Sequence, residues 1–242
     1  MPPGGAVRHE GQGRPRSCPF RLGPSGCYWR GMTAAPQPEP SLIADGLACL
    51  RGGRLVFAGL SFRLAAGEAL VLTGPNGSGK SSLLRLIAGL VPAFAGTLNW
   101  TGAAGSIAYL GHQDAVKPAL TVREALRIWA ALSGTAAGEG TVAAAIAAVG
   151  LEGLDDLPCR YLSAGQRRRL ALARLELGHA ALWLLDEPTL GLDTASVARL
   201  EGRIARHRAA GGLVMLATHV PLALDGARFL ALQDYAAEEL PL

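Results

Sequence analysis

Lysine is almost missing from this chain. Of 23 basic residues only Lys80 and Lys117 are lysine. Cysteine is scarce too: Cys18, Cys27, Cys49 and Cys159 show no paired metal-ligand spacing. That pattern excludes a zinc-finger-like module or a disulfide framework and is expected of free thiols in a reducing compartment. No apolar run is long enough to cross a bilayer; the longest, such as Ala180 to Leu185, have the length of a buried strand. Any part in transport is therefore expected to come through a partner. Charged residues make up only 17% of the chain and hydrophobic ones 50%, enough for one large core with a smaller subdomain.

The net charge of +4 invites a nucleic-acid reading until it is apportioned. Residues 1–40 hold five arginines against Glu10 and Glu39, a balance of +3, which leaves +1 for all the rest. A nearly neutral core offers no nucleic-acid surface. The same 40 residues carry eight of the fifteen prolines and no hydrophobic periodicity, so they are expected to form a disordered Pro/Gly/Arg-rich tail. Met32 opens a more ordinary start, and residues 1–31 are expected to be dispensable.

From Ser41 on, strand and helix signals alternate. Leu42–Leu50, Leu55–Leu64 and Ala69–Thr73 read as strands, the last apolar throughout, as in a sheet covered on both faces. Ser81–Leu90 reads as a helix, stopped by Gly89 and Pro92. Thr97–Trp100 and Ile107–Leu110 are short strands. From Thr121 to about Gly150 the chain reads as helix, opened by a capping box of Thr121 and Glu124. Ala164–Leu177 is a further helix, and Ala181–Leu185 and Leu213–Ala217 are buried strands with a helix between them. The expectation is an α/β fold over residues 41–242, a mixed sheet with flanking helices, interrupted by a helical insert at about 121–165.

Two motifs carry chemistry. Gly74-Pro75-Asn76-Gly77-Ser78-Gly79-Lys80-Ser81 follows a buried strand and opens a helix, the context of a phosphate-binding loop. Its glycines let the backbone wrap a polyphosphate, and the amides at the helix start point at the charge. Lys80 would reach the β- and γ-phosphates and the Ser81 hydroxyl would hold Mg²⁺, with Ser82 beside it. In so arginine-rich a chain, lysine stands here because a guanidinium would not fit inside the loop. The second motif, Ala181 to Glu187, is an apolar strand ending in two acids. Its C-terminal carboxylates would face the crevice where open α/β sheets bind ligands, Asp186 to orient Mg²⁺ and Glu187 to polarise the attacking water.

With these in place, Leu162-Ser163-Ala164-Gly165-Gln166 resembles the signature of ATP-binding cassette (ABC) ATPases, lying between the two motifs as in that family. A hydroxyl, a bare glycine amide and a helix start form an anion site. The resemblance implies that Ser163, Gly165 and Gln166 bind the γ-phosphate held by a second copy of the chain. It places Gln113 where the family's glutamine senses Mg²⁺ and the attacking water. It likens Asp193 to the aspartate after the Walker B strand, and His219 to the switch histidine on the γ-phosphate. The implied fold is a P-loop ABC ATPase core with an inserted α-helical subdomain and a small antiparallel β-subdomain. The family's adenine-stacking aromatic falls at Arg51, whose plane can stack on a base or sit solvated in a hairpin turn. Arg167, Arg168 and Arg169 read as a solvated, salt-bridged helix face. His112 reads as packing locally in its loop or as functional beside Gln113, and His179 and His207 as surface residues of helices.

Finer details resemble the ATPase subunits of cytochrome c maturation haem exporters. They are the aromatic-free stretch before Gly74, Gly111-His112-Gln113 followed by Lys117, and the arginine run after Gln166. This implies an ATPase bound to a CcmB-like membrane subunit, with CcmC and CcmE in the wider complex, peripheral at the cytoplasmic face of a bacterial inner membrane. The same motifs also serve other small exporters or importers and non-transport ABC proteins. Lys117 is either an exposed loop charge or a contact for the membrane partner.

Overall fold

The computed structural model describes residues 39–103, 106–135 and 138–236; most of the expected tail lies outside them. Eight strands and five α-helices follow one another in these segments: β1 (Ser41–Arg51), β2 (Arg54–Ala65), β3 (Ala69–Thr73), α1 (Lys80–Ile87), β4 (Ala95–Trp100), β5 (Ile107–Leu110), α2 (Val122–Leu132), α3 (Glu139–Ala148), α4 (Ala164–Ala173), β6 (Leu182–Asp186), α5 (Thr194–Ala209), β7 (Leu213–Ala217) and β8 (Arg228–Ala231). Parallel and antiparallel strands divide between two sheets. The first is antiparallel, β2-β1-β4; the second is parallel, β5-β6-β7-β3-β8.

The period of two along the parallel strands builds the core. Val71, Trp183, Leu185, Val214 and Leu216 face the helical side and pack with residues of α2 to α5. Their neighbours Leu70, Leu72, Leu182, Leu184, Leu213 and Met215 face the antiparallel sheet and α1. Both faces are covered, which is why β3, β6 and β7 are almost continuously apolar and buried.

The helical region after Thr121 differs from the single long helix its alanines suggest. Ser133 caps α2 and Gly134 takes φ 68°, so the chain turns before α3 starts at Glu139. The capping box of Thr121 and Glu124 is present in both directions. Arg123 joins the two helices and the following loop through ion pairs to Glu139, Asp155 and Asp156. The signature helix ends early, with Arg174–Glu176 tightening into a 3-10 turn. Strand β8 had no clear sequence signal because it is a four-residue edge strand, half exposed. Among the described residues no helix is long and apolar enough to cross a membrane.

Candidate active site

Strand register decides where the chemistry meets. Leu72 of β3 pairs with Ala217 of β7, and Ala217 pairs in turn with Asp186 of β6. Three strands thus end in one row. They release the Gly74–Ser81 loop, His219 and the Asp186-Glu187 pair at the same edge, the carboxyl end of the parallel sheet.

The loop after β3 depends on glycines at particular points. Gly74, Gly77 and Gly79 take φ of 135°, 85° and 99°, a region costly for any residue with a Cβ. At Gly79 a Cβ would also fall 2.6 Å from Val56 and 3.0 Å from Phe57. Lys80 begins α1 one residue earlier than the sequence pattern suggests. It is 8% exposed, and its Nζ donates to the carbonyls of Gly74 and Pro75 at 2.7 and 3.0 Å. Those bonds hold the ammonium inside the loop that would wrap a phosphate chain.

Ser81 Oγ donates to Asp186 Oδ1 at 2.9 Å, while Asp186 Oδ2 is buried without a partner. A buried, unsatisfied carboxylate oxygen is expensive. A hydroxyl and a carboxylate side by side are the oxygen donor set that Mg²⁺ takes from protein while keeping several waters. The residues therefore fit the ion.

Glu187 has φ 49°, a left-handed conformation that costs a non-glycine residue on the order of 1–3 kcal/mol. Its amide is tied to Ala217 O at 2.8 Å. Its carboxylate accepts from the His219 amide at 3.3 Å and lies 3.4 Å from His219 Nε2. Acid and imidazole are thus brought together across β6 and β7. Two hydroxyls that sequence reasoning missed support them. Thr189 Oγ1 meets Thr218 Oγ1 at 3.2 Å, and Thr218 Oγ1 bonds both the amide and the carbonyl of Val220. Their signal was adjacency, two residues after Glu187 and one before His219.

A cleft of about 540 Å³ collects Arg51, Val56, Asn76, Gly77, Gly79, Lys80, Ser81, Ser82, Asp186, Glu187 and His219. His112, read from the sequence as packing in its loop or as functional beside Gln113, also lines it. Gln113 lines instead a neighbouring groove of about 780 Å³ with Asp114, Val116, Arg160 and Arg167. Lys117 is exposed in the same loop.

Ser163, Gly165 and Gln166 line neither space. They form the start of α4, where Ser163 and Gln166 make a reciprocal capping box. A Cβ on Gly165 would fall 2.8 Å from Gly191 O, so the backbone after Glu187 presses against the signature. Asp193 caps α5 by accepting from Ser196 N at 2.7 Å.

Two readings of the sequence need correction. Arg168 is not on a solvated face. It is 3% exposed, because it stands three and four residues before the buried Ala171 and Leu172 and so shares their side of α4. His207 is half-buried rather than an exposed surface residue. It stacks on Trp183 with ring centroids 3.9 Å apart, and its burial pushes the imidazole pKa below the ordinary histidine value. His179, by contrast, is exposed, beyond the end of the signature helix.

The sequence model of the family described as "ABC transporter" matches residues 57–190. The chain is 52% identical over 212 residues to the "Cytochrome c biogenesis ATP-binding export protein CcmA" of Rhodospirillum rubrum, covering 84% of this chain and 90% of that protein. It is 53% identical over 215 residues to the protein of the same name in Paramagnetospirillum magneticum, covering 84% and 99%. Among solved structures, a putative ABC transporter ATP-binding protein from Pyrococcus furiosus superposes with a TM-score of 0.73 at 23% identity. That match covers 81% of this chain and 100% of the other, and it shows the shared fold.

Proposed function

The chain belongs to the ABC transporter family, within it to the cytochrome c biogenesis ATP-binding export proteins, and from that premise we propose that it powers haem export in a CcmAB-type complex. The observation that carries the reading is the shared edge of β3, β7 and β6, which sets a phosphate loop, a histidine and two acids around one cleft.

In this reading the amides of Asn76 to Ser81 and the Lys80 ammonium bind the β- and γ-phosphates of ATP. Ser81 and Asp186 would hold Mg²⁺, which when bound neutralises charge on the phosphates. Glu187 takes the proton of the attacking water as its oxygen bonds to the γ-phosphorus, ADP leaves, and phosphate forms. His219, held against Glu187, faces the γ-phosphate side of the cleft. Arg51 and Val56 flank the base. Gln113, in the groove beside the cleft, would sense the Mg²⁺ and the attacking water.

The signature residues Ser163, Gly165 and Gln166 lie outside their own chain's cleft, which fits a sandwich in which each copy completes the other's site. The groove beside Gln113, with exposed Lys117 at its margin, would receive a cytoplasmic segment of a CcmB-like subunit. That contact would hold the protein at the cytoplasmic face of the inner membrane, with CcmC and CcmE in the wider complex. The cargo touches the membrane subunits, so ATP chemistry leaves its recognition to them.

The assignment is tested on the purified full chain. Glu187→Gln should bind ATP, accumulate as an ATP-locked dimer, and lose turnover by about 10²-fold or more. Lys80→Ala should bind ATP poorly. Hydrolysis by Glu187→Gln at a near wild-type rate would remove Glu187 from the role of base.

A further inference from the structure

Every N–H of the Arg168 guanidinium has an acceptor, and the acceptors belong to two separate segments. Nε donates to Pro188 O at 3.4 Å, and Nη2 donates to Asp186 O at 2.8 Å and Glu187 O at 2.6 Å. Nη1 donates to Gly111 O at 3.1 Å and to Asp114 Oδ1 at 2.9 Å. The first three acceptors are the backbone that carries the two acids of the cleft. The other two belong to the loop after β5 that carries His112 and Gln113. The side chain itself rises from α4, one turn after the signature start.

A second observation is independent of these bonds. Among the described residues, two that are not glycine have positive φ: Glu187 at 49° and Ala115 at 53°. One sits in each segment that Arg168 grips, Glu187 as a direct acceptor and Ala115 next to Asp114. Strained backbone persists where its surroundings over-determine it. A buried, planar, five-donor fork is such a surrounding.

We propose that Arg168 is a positioning residue for ATP hydrolysis, a buried clamp through which the loop after β5 and the signature helix hold the backbone of Glu187 in the geometry turnover needs. The inference rests on Glu187 serving as base. It adds that the loop facing the membrane partner is wired to that base by one side chain. Movement of Asp114 pulls on the guanidinium, which holds both the Asp186 and Glu187 carbonyls. Lysine cannot replace it, since three donors on a flexible stem leave at least two of five acceptors unmet.

The test uses the full chain and reads kcat, nucleotide affinity and melting temperature together. Arg168→Lys should lower kcat at least tenfold, with ATP affinity within twofold of wild type. Arg203→Lys is the structural control. Arg203 is also a buried guanidinium, bonded to Leu172 O and paired with Glu176, but it lies away from the cleft. It should lower the melting temperature while leaving kcat within twofold. Asp114→Ala, at a partly exposed position, removes the side-chain acceptor of the loop arm while leaving Gly111 O, and should lower kcat severalfold in a folded protein with unchanged ATP affinity. The proposal is overturned by wild-type kcat in Arg168→Lys or Asp114→Ala. It is equally overturned if Arg168→Lys loses kcat and affinity together, only in proportion to lost stability, as a purely structural arginine would. Turnover retained in Glu187→Gln would instead sink the catalytic-base reading, whatever Arg168 does.

Discussion

Glu187 shows how much of this molecule is arranged around single residues. Its left-handed backbone, its amide bond to Ala217 and its contact with His219 place one carboxylate at the end of a buried strand. The sequence singled that residue out only in combination: an apolar run ending in two acids reads equally as a solvated cap, and the phosphate-loop motif upstream is what points to chemistry. Its supports were not singled out. Arg168 sits in a run of three arginines that charge patterning assigns to solvent, and only helical spacing to Ala171 and Leu172 places it inward. At the base end of the cleft, Arg51 stands at the edge of a hairpin whose turn residues Gly52 and Gly53 both have positive φ. Among the described residues no Phe, Tyr or Trp lines the cleft, and any stacking on Arg51 is sequence-tolerant. Competition of GTP against ATP in a hydrolysis assay should therefore show a preference below about tenfold. A preference of a hundredfold or more would require an adenine contact other than Arg51 and Val56.

Elements were the most readable level where burial is two-sided. Strands β3 and β7 fall where their apolar runs predict, because a run covered on both faces has no competing pattern. The Thr121–Gly150 stretch misled for the opposite reason. Alanine favours helix everywhere, so the break at Ser133-Gly134 rests on two small residues. The packing of α5 on β6 makes a prediction about pH. His207 continues the inward face of α5 set by Leu200 and Ile204, and its ring stacks on Trp183 and meets Leu213 O at 3.3 Å. Desolvation lowers its pKa in the fold, although the backbone hydrogen bonds act the other way. The folded state then binds fewer protons than the unfolded one, whose histidine titrates near about 6.5. Stability from this group is full above that value and is lost as pH falls through it toward the lowered folded-state pKa. Denaturation midpoints at pH 7.5 and 5.5 should differ for wild type and differ less for His207→Phe. An unchanged difference would show that another group carries the pH dependence.

Across the described residues, three motifs far apart in sequence converge at one edge of the parallel sheet. Their order along the chain was the strongest sequence evidence for the family. Their relation in space was beyond it: strand register, not spacing, puts Leu72, Ala217 and Asp186 in one row. The motifs alone also allow another small exporter or importer, or a non-transport ABC protein. Neither alternative accounts for 52–53% identity to export proteins of cytochrome c biogenesis over nearly their full length.

The central claim is that ATP hydrolysis in this cleft drives cytochrome c biogenesis. It is tested most directly in a cytochrome c-producing bacterium that lacks its own copy of this protein. The measurement is covalently haem-bearing c-type cytochrome, alongside recovery of the membrane subunit with the tagged chain. The wild-type chain should restore cytochrome levels. Glu187→Gln should recover the same complex yet leave cytochrome c near the level of the deletion strain. Normal cytochrome c with Glu187→Gln, or none with the wild-type chain in an assembled complex, would contradict the account.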